Sequence, residues 1–109
     1  MSNQTIESIE QFEDLLQKHD EFLFIKNSVT CPISQAAFDE YQEFAEIHAN
    51  YPSYHLHVQE ARELSNYIAE KYGVKHESPQ ALLFRGNKVV WNASHWKITY
   101  DALKQEITD

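Results

Sequence analysis

Glu21-Phe22-Leu23-Phe24-Ile25-Lys26-Asn27, followed by Ser28-Val29-Thr30-Cys31-Pro32-Ile33-Ser34, is the stretch from which the fold is read. Its first half contains the uninterrupted apolar run Phe22-Leu23-Phe24-Ile25, short and rich in β-forming residues, the pattern of a strand buried on both faces. Ser28-Val29-Thr30 reads as a short turn. From Cys31 onward Ile33, Ala37, Phe38, Tyr41, Phe44 and Ala45 recur at intervals of three and four, which predicts a long amphipathic helix to about residue 49. Thr30 is a candidate N-cap, and Pro32 is tolerated because a first-turn N–H has no helical partner to lose. A buried strand that feeds a long helix is the opening of a strand–helix–strand unit. Such a unit requires parallel strands and a crossover between them.

The remaining segments extend this unit in both directions. Ser8 with Gln11 fits a capping box, and Phe12, Leu15, Leu16 and His19 follow helical spacing, so residues 8–18 form a helix before the first strand. Asn50-Tyr51-Pro52-Ser53 interrupts the long helix. Tyr54, Leu56 and Val58 then alternate with His55, His57 and Gln59, as in a half-buried strand with one polar face. Ala61, Leu64, Ile68 and Tyr72 make a further helical stripe, which Gly73 closes. Ala81-Leu82-Leu83-Phe84 is a second buried strand, joined through a two-residue turn at Gly86-Asn87 to a partner over residues 88–93. Thr99 caps a last helix that carries Tyr100, Leu103 and Ile107 on one side. The expected fold is α/β: one four-stranded mixed sheet with helices on both faces and an extra N-terminal helix, residues 1–109 forming a single domain.

Composition narrows the function classes. The chain has 109 residues, 42% of them hydrophobic and 13% aromatic, which suits one core and excludes a disordered tail. Seventeen acidic against nine basic side chains give a formal charge of −8, which repels nucleic acid and acidic membranes. A single cysteine excludes an internal disulfide and any multi-cysteine zinc site. The N-terminal residues lack a basic start followed by an apolar stretch, and no apolar run approaches a membrane span. The expectation is a cytoplasmic monomer with no tightly bound cofactor and no metal.

The placement of Cys31 carries the chemistry. Unsatisfied N–H groups and about half a positive charge at a helix N-terminus favour thiolate over thiol, and cysteines so placed have pKa values lowered to between about 3.5 and 7.5. The thiolate is the nucleophile of disulfide exchange. The bland alternative is a small buried hydrophobe, the common fate of a free cysteine.

Thr30-Cys31-Pro32-Ile33-Ser34 occupies the place of the Cys-X-X-Cys motif of the thioredoxin superfamily, and Ser78-Pro79 lies where that superfamily places its cis-proline loop. Together with His76-Glu77-Ser78-Pro79-Gln80 and the stretch from Val89 to Thr99, these residues resemble the monothiol bacilliredoxins of the bacillithiol system over nearly the whole chain. The resemblance implies a thioredoxin-like fold and a monothiol thiol–disulfide oxidoreductase. Catalytic Cys31 would take bacillithiol, as co-substrate, off bacillithiol-modified proteins, and a second low-molecular-weight thiol would regenerate it. It also implies substrate contacts by Thr30, Pro32, Ser78, Pro79, His76 and Trp96. Ser34 stands where a dithiol enzyme has its resolving cysteine, and a serine hydroxyl, un-ionised at neutral pH, cannot resolve a mixed disulfide. Bacillithiol carries carboxylates, so its site requires donors or positive charge, for which Lys26, Lys75, His76 and Lys97 are candidates that the sequence does not rank.

Two further classes are open at this stage. One is an iron–sulfur cluster-binding monothiol module, although Pro32 replaces the glycine of the Cys-Gly-Phe-Ser motif of monothiol glutaredoxins; a protein that stays colourless after anaerobic reconstitution disposes of it. The other is a non-catalytic redox sensor or adaptor, which forms one mixed disulfide and stops. His55 and His57 share a strand face without a third ligand at metal-site spacing, and read as a solvated polar face. His76 and His95 either tune Cys31 or bind a carboxylate, or serve as structural hydrogen-bond partners. Trp91 packs on the hairpin, and Trp96 either lines a groove beside the thiol or covers the core.

Overall fold

The computed structural model describes residues 4–30 and 32–108. Its elements run β1 (Gln4–Thr5), α1 (Ile9–Lys18), β2 (Glu21–Asn27), α2 (Pro32–Ile47), β3 (Ser53–His57), α3 (Arg62–Tyr72), β4 (Gln80–Arg85), β5 (Val89–Ser94), a 3₁₀ turn (His95–Lys97) and α4 (Tyr100–Thr108). The sheet order is β1-β3-β2-β4-β5. β3 is parallel to both β1 and β2, whereas β4 is antiparallel to β2 and to β5.

Local signals account for most of these boundaries. Ser8 Oγ accepts from Gln11 N–H at 3.1 Å, while the Gln11 side chain reaches back to Glu7 N–H at 2.7 Å, one residue earlier than in a standard capping box. Gly73 ends α3 with φ of 63°, a left-handed conformation that costs glycine little. Gly86 and Asn87 both have φ of 62°, the signature of a type I′ turn, and Arg85 and Lys88 exchange backbone hydrogen bonds across it. Thr99 Oγ1 accepts from Ala102 N–H at 3.1 Å and starts α4.

The period-two alternation of β2 divides the core between two faces. Phe22 and Phe24 join Phe12, Leu15, Leu64, Ile68, Leu82 and Phe84 on the α1/α3 side. Leu23 and Ile25 join Ala37, Tyr41, Phe44, Ala81, Ile98 and Leu103 on the α2/α4 side.

Two expectations are corrected. The sheet has five strands, not four, because Gln4–Thr5 pairs with the edge of β3 in the register Gln4↔Tyr54 and Thr5↔His55. Two residues are too few to show a period, and this strand exists only because β3 offers it an unpaired edge. The polar face of β3 is not solvated at His55, although His57 on the same face is only half-buried: His55 is 5% exposed, its Nε2 2.8 Å from Thr5 Oγ1 and its Nδ1 3.1 Å from the Tyr41 hydroxyl. Phe38 stands edge-on to the ring with centroids 4.9 Å apart.

Burial, with His57 adding repulsion, pushes the His55 pKa down to about 4. The folded state therefore prefers the neutral ring. That preference costs nothing above the unfolded value of about 6.5, and stability is lost as pH falls from there towards about 4. We expect about 2 kcal/mol less stability at pH 5 than at pH 7 from this residue, read from denaturant midpoints. His55→Gln is expected to flatten that difference, and an unchanged slope would contradict the assignment.

Candidate active site

Strand register gathers four connections at one end of the sheet. Asn27, the last residue of β2, pairs with His57 at the end of β3. Lys26 pairs with Gln80 at the start of β4, and Gln80 with Ser94 at the end of β5. Residues 28–30, 58–60, 76–79 and 95–97 therefore leave or join the sheet side by side, at the end where α2 begins. Cys31 itself lies outside the described residues; its chain neighbours are Thr30 and Pro32, the exposed first residue of α2.

Gln59 holds the segment before Cys31. Its Oε1 accepts from Val29 N–H at 3.1 Å, and its Nε2 donates to Ser28 Oγ at 2.8 Å and to Thr30 Oγ1 at 3.3 Å. The alternation of β3 marked Gln59 only as polar, and no signal in the chain tied it to a loop some thirty residues earlier. Ser34 is fully buried and its hydroxyl accepts from Ser28 N–H at 3.3 Å.

Below the next connection, Lys26 lies on the α1/α3 side of β2 and is fully buried. Its Nζ donates to the Ser65 carbonyl at 2.9 Å and lies 3.4 Å from His76 Nδ1, which Ser65 Oγ also approaches at 3.1 Å. No carboxylate pairs with it among the described residues. Burial pushes its pKa down to about 8, so the ammonium persists at neutral pH at a cost to the fold. That cost is fully present below pH 8 and fades as pH rises towards the ordinary value of about 10.4. Lys26→Met is accordingly expected to raise stability by about 1–3 kcal/mol at pH 7 in equilibrium denaturation; a loss of that size would show that the charge is compensated.

The Ser78–Pro79 peptide bond is cis. Pro79 is buried, and its carbonyl accepts from His95 N–H at 3.1 Å, tying this loop to the turn after β5. His95 adopts φ of 56°, and its Nε2 lies 3.7 Å from Glu77 Oε1. Ser78 Oγ, Asn27 Oδ1 and Gln80 Oε1 are buried without a hydrogen-bond partner. Trp96 is 69% exposed, so it does not cover the core; the 3₁₀ turn that carries it packs against α2. Trp91 is half-buried on the α2/α4 side of the hairpin. Thr30, Pro32, His76, Ser78, Pro79 and Trp96 are thus all on elements that meet at this one end.

A parallel pair extended by an antiparallel hairpin, helices on both faces and a cis-proline beside the start of α2 define the class: this is a thioredoxin-fold protein. A solved protein with this fold, proposed to be an oxidoreductase, superposes with a TM-score of 0.89 at 40% identity, covering 95% of this chain and 92% of its own. A thioredoxin pre-protein from Schistosoma mansoni, 14% identical with a TM-score of 0.78, covers 99% of this chain and 97% of its own. Mitochondrial thioredoxin 3 from Saccharomyces cerevisiae, 15% identical with a TM-score of 0.76, covers 99% of this chain and 95% of its own. These two share the fold alone. The family model described as monothiol bacilliredoxin BrxC matches residues 4–103, and the chain belongs to that family. No helix among the described residues is long and apolar enough to cross a membrane, and none of their His, Asp and Glu side chains gather as a metal site.

Proposed function

We propose that this protein removes bacillithiol from protein mixed disulfides, with the Cys31 thiolate as nucleophile. Cys31 attacks the bacillithiol sulfur of the mixed disulfide. One S–S bond forms as another breaks, and the target leaves as a thiolate that takes a proton from solvent. The exchange needs no external oxidant or reductant. A second small thiol then attacks the disulfide on Cys31, carries bacillithiol away as a low-molecular-weight disulfide, and returns the enzyme thiolate.

The observation that carries this reading is the pairing of one cysteine with a buried serine three residues on. The chain has no second thiol, and Ser34 is fully buried and hydrogen-bonded to Ser28 N–H. An enzyme so built holds a small thiol until another arrives, which suits deglutathionylation-like transfer of bacillithiol better than reduction of disulfides within proteins. In this reading Thr30 and Pro32 flank the nucleophile, Ser78 pairs its backbone with the incoming chain, Pro79 shapes that surface, and Trp96 and His76 border it. The protein acts as a monomer in the cytoplasm.

Mass spectrometry of the reduced protein mixed with a bacillithiol-modified target tests the proposal. The expected result is a bacillithiol-sized gain on Cys31 with the target's thiol restored. Restoration of the target without any adduct on Cys31, or no restoration, overturns it.

A further inference from the structure

The connection that delivers Cys31 is three residues long, Ser28-Val29-Thr30, between the end of β2 and the residue before α2. Val29 is 55% exposed and Thr30 is exposed, so apolar packing does little to hold this segment. One side chain reaches all three residues. Gln59 Oε1 accepts the Val29 N–H at 3.1 Å, and Gln59 Nε2 donates to the Ser28 and Thr30 hydroxyls at 2.8 and 3.3 Å. A backbone N–H can only donate, so Val29 fixes which end of the amide is oxygen, and the two hydrogens on Nε2 go to the two hydroxyls. Gln59 is held in turn by its own backbone neighbours. The Val58 N–H donates to the Asn27 carbonyl at 2.7 Å, which carries the β2–β3 pairing one step past His57. The N–H groups of Glu60 and Ala61 both donate to the His57 carbonyl, at 2.9 and 3.0 Å, and close a turn that contains Gln59. From the other direction, Ser34 in the first turn of α2 accepts the Ser28 N–H at 3.3 Å. The Gln59 side chain is thus a polar cross-link between the turn after β3 and the segment that leads to the thiol.

We propose that Gln59 is a positioning residue for thiol exchange, clamping residues 28–30 so that the chain presents Cys31 in a fixed way to the start of α2. The role rests on the reading of Cys31 as nucleophile, and is independent of which small thiol it carries. Consecutive Cα atoms across a trans peptide bond are about 3.8 Å apart, so a clamp on Thr30 acts directly on the residue that follows it. The potential of a helix N-terminus falls off within its first turn, and a looser connection therefore favours the thiolate less. A carboxamide suits this place because it accepts from an N–H and donates to two hydroxyls while adding no negative charge beside a thiolate.

The test is the rate at which iodoacetamide alkylates the reduced protein, followed by mass across the pH range in which thiols ionise. The chain has one cysteine, so the reaction reads Cys31 alone. Gln59→Ala is expected to move the midpoint of the profile up by about half a pH unit, and so to slow alkylation about threefold below the midpoint, the size of one net hydrogen bond. The rate at high pH is expected to stay unchanged. Ser28→Ala, which removes the shortest of the three contacts, is expected to move the midpoint the same way by less. The double variant is expected to move it no further than Gln59→Ala alone, because both side chains act through one clamp. A part in stability alone would lower the thermal unfolding midpoint and leave the alkylation profile in place. A Gln59→Ala profile that coincides with the wild type therefore overturns the proposal, and so do shifts that add in the double variant. A wild-type midpoint at the ordinary thiol value of about 8.5 overturns the reading of Cys31 as a thiolate nucleophile, and the role of Gln59 with it.

Discussion

Cys31→Ser is expected to bring thiol exchange down to the uncatalysed background, whereas Ser34→Ala keeps turnover. The first change removes the only sulfur that can hold a transferred thiol, because the chain contains one cysteine. A hydroxyl in its place is neither ionised at neutral pH nor able to form a disulfide, so both halves of the cycle stop. The Ser34 hydroxyl, by contrast, accepts from Ser28 N–H at 3.3 Å within a fully buried position. Its loss leaves that N–H without its acceptor and is expected to cost about 1 kcal/mol of stability. Release of the target thiol, followed by mass and by a thiol-reactive dye, separates the two variants. Equal loss of exchange in both would end the one-thiol mechanism, since it would give Ser34 a chemical part.

The other large effect is on the fold. Phe12 is fully buried where α1 meets the sheet, with ring centroids 5.5 Å from both Phe24 and Phe84, 6.2 Å from Phe22 and 6.4 Å from Tyr72. Most of these rings meet edge to face, the arrangement their quadrupoles favour. Phe12→Ala removes a whole ring from a cluster contributed by α1, β2, β4 and α3, none of which can close the gap alone. The expected cost is about 3–5 kcal/mol, a large part of the roughly 5–15 kcal/mol that holds a domain together. Thermal unfolding is expected to fall by more than about 10 °C. Phe12→Leu refills part of the volume and should recover much of that loss. A shift for Phe12→Ala below about 1 kcal/mol in guanidinium denaturation would mean that α1 is not part of the cooperative unit.

The legible part of the fold was the part in which one element's own side chains carry the signal. The apolar run of β2, the three-and-four spacing of α2 and the Gly86-Asn87 turn each reflect a local geometric demand. They sufficed for the order of the elements from α1 to α4 and for the mixed sheet. The β1 strand carried no such signal, because its structure is supplied by the edge of β3. His55 was misread for the same reason. Alternation shows which residues share a face, but Thr5 and the helix carrying Phe38 and Tyr41 cover that face, and both come from other parts of the chain. Trp96 illustrates the converse, an aromatic that composition alone would bury and that the 3₁₀ turn leaves 69% exposed.

By itself, then, the sequence determined the order of elements from α1 onward, a single thiol one residue before the start of α2 and the absence of a second thiol to resolve it, since these depend on spacing and count. Tertiary structure alone decided what surrounds that end of the sheet: Gln59 against residues 28–30, and Lys26 beneath His76. Hydrogen bonds and fields act through space over a few ångströms. Residues far apart in the chain reach that range only when strand register sets the ends of β2, β3 and β5 beside the start of β4.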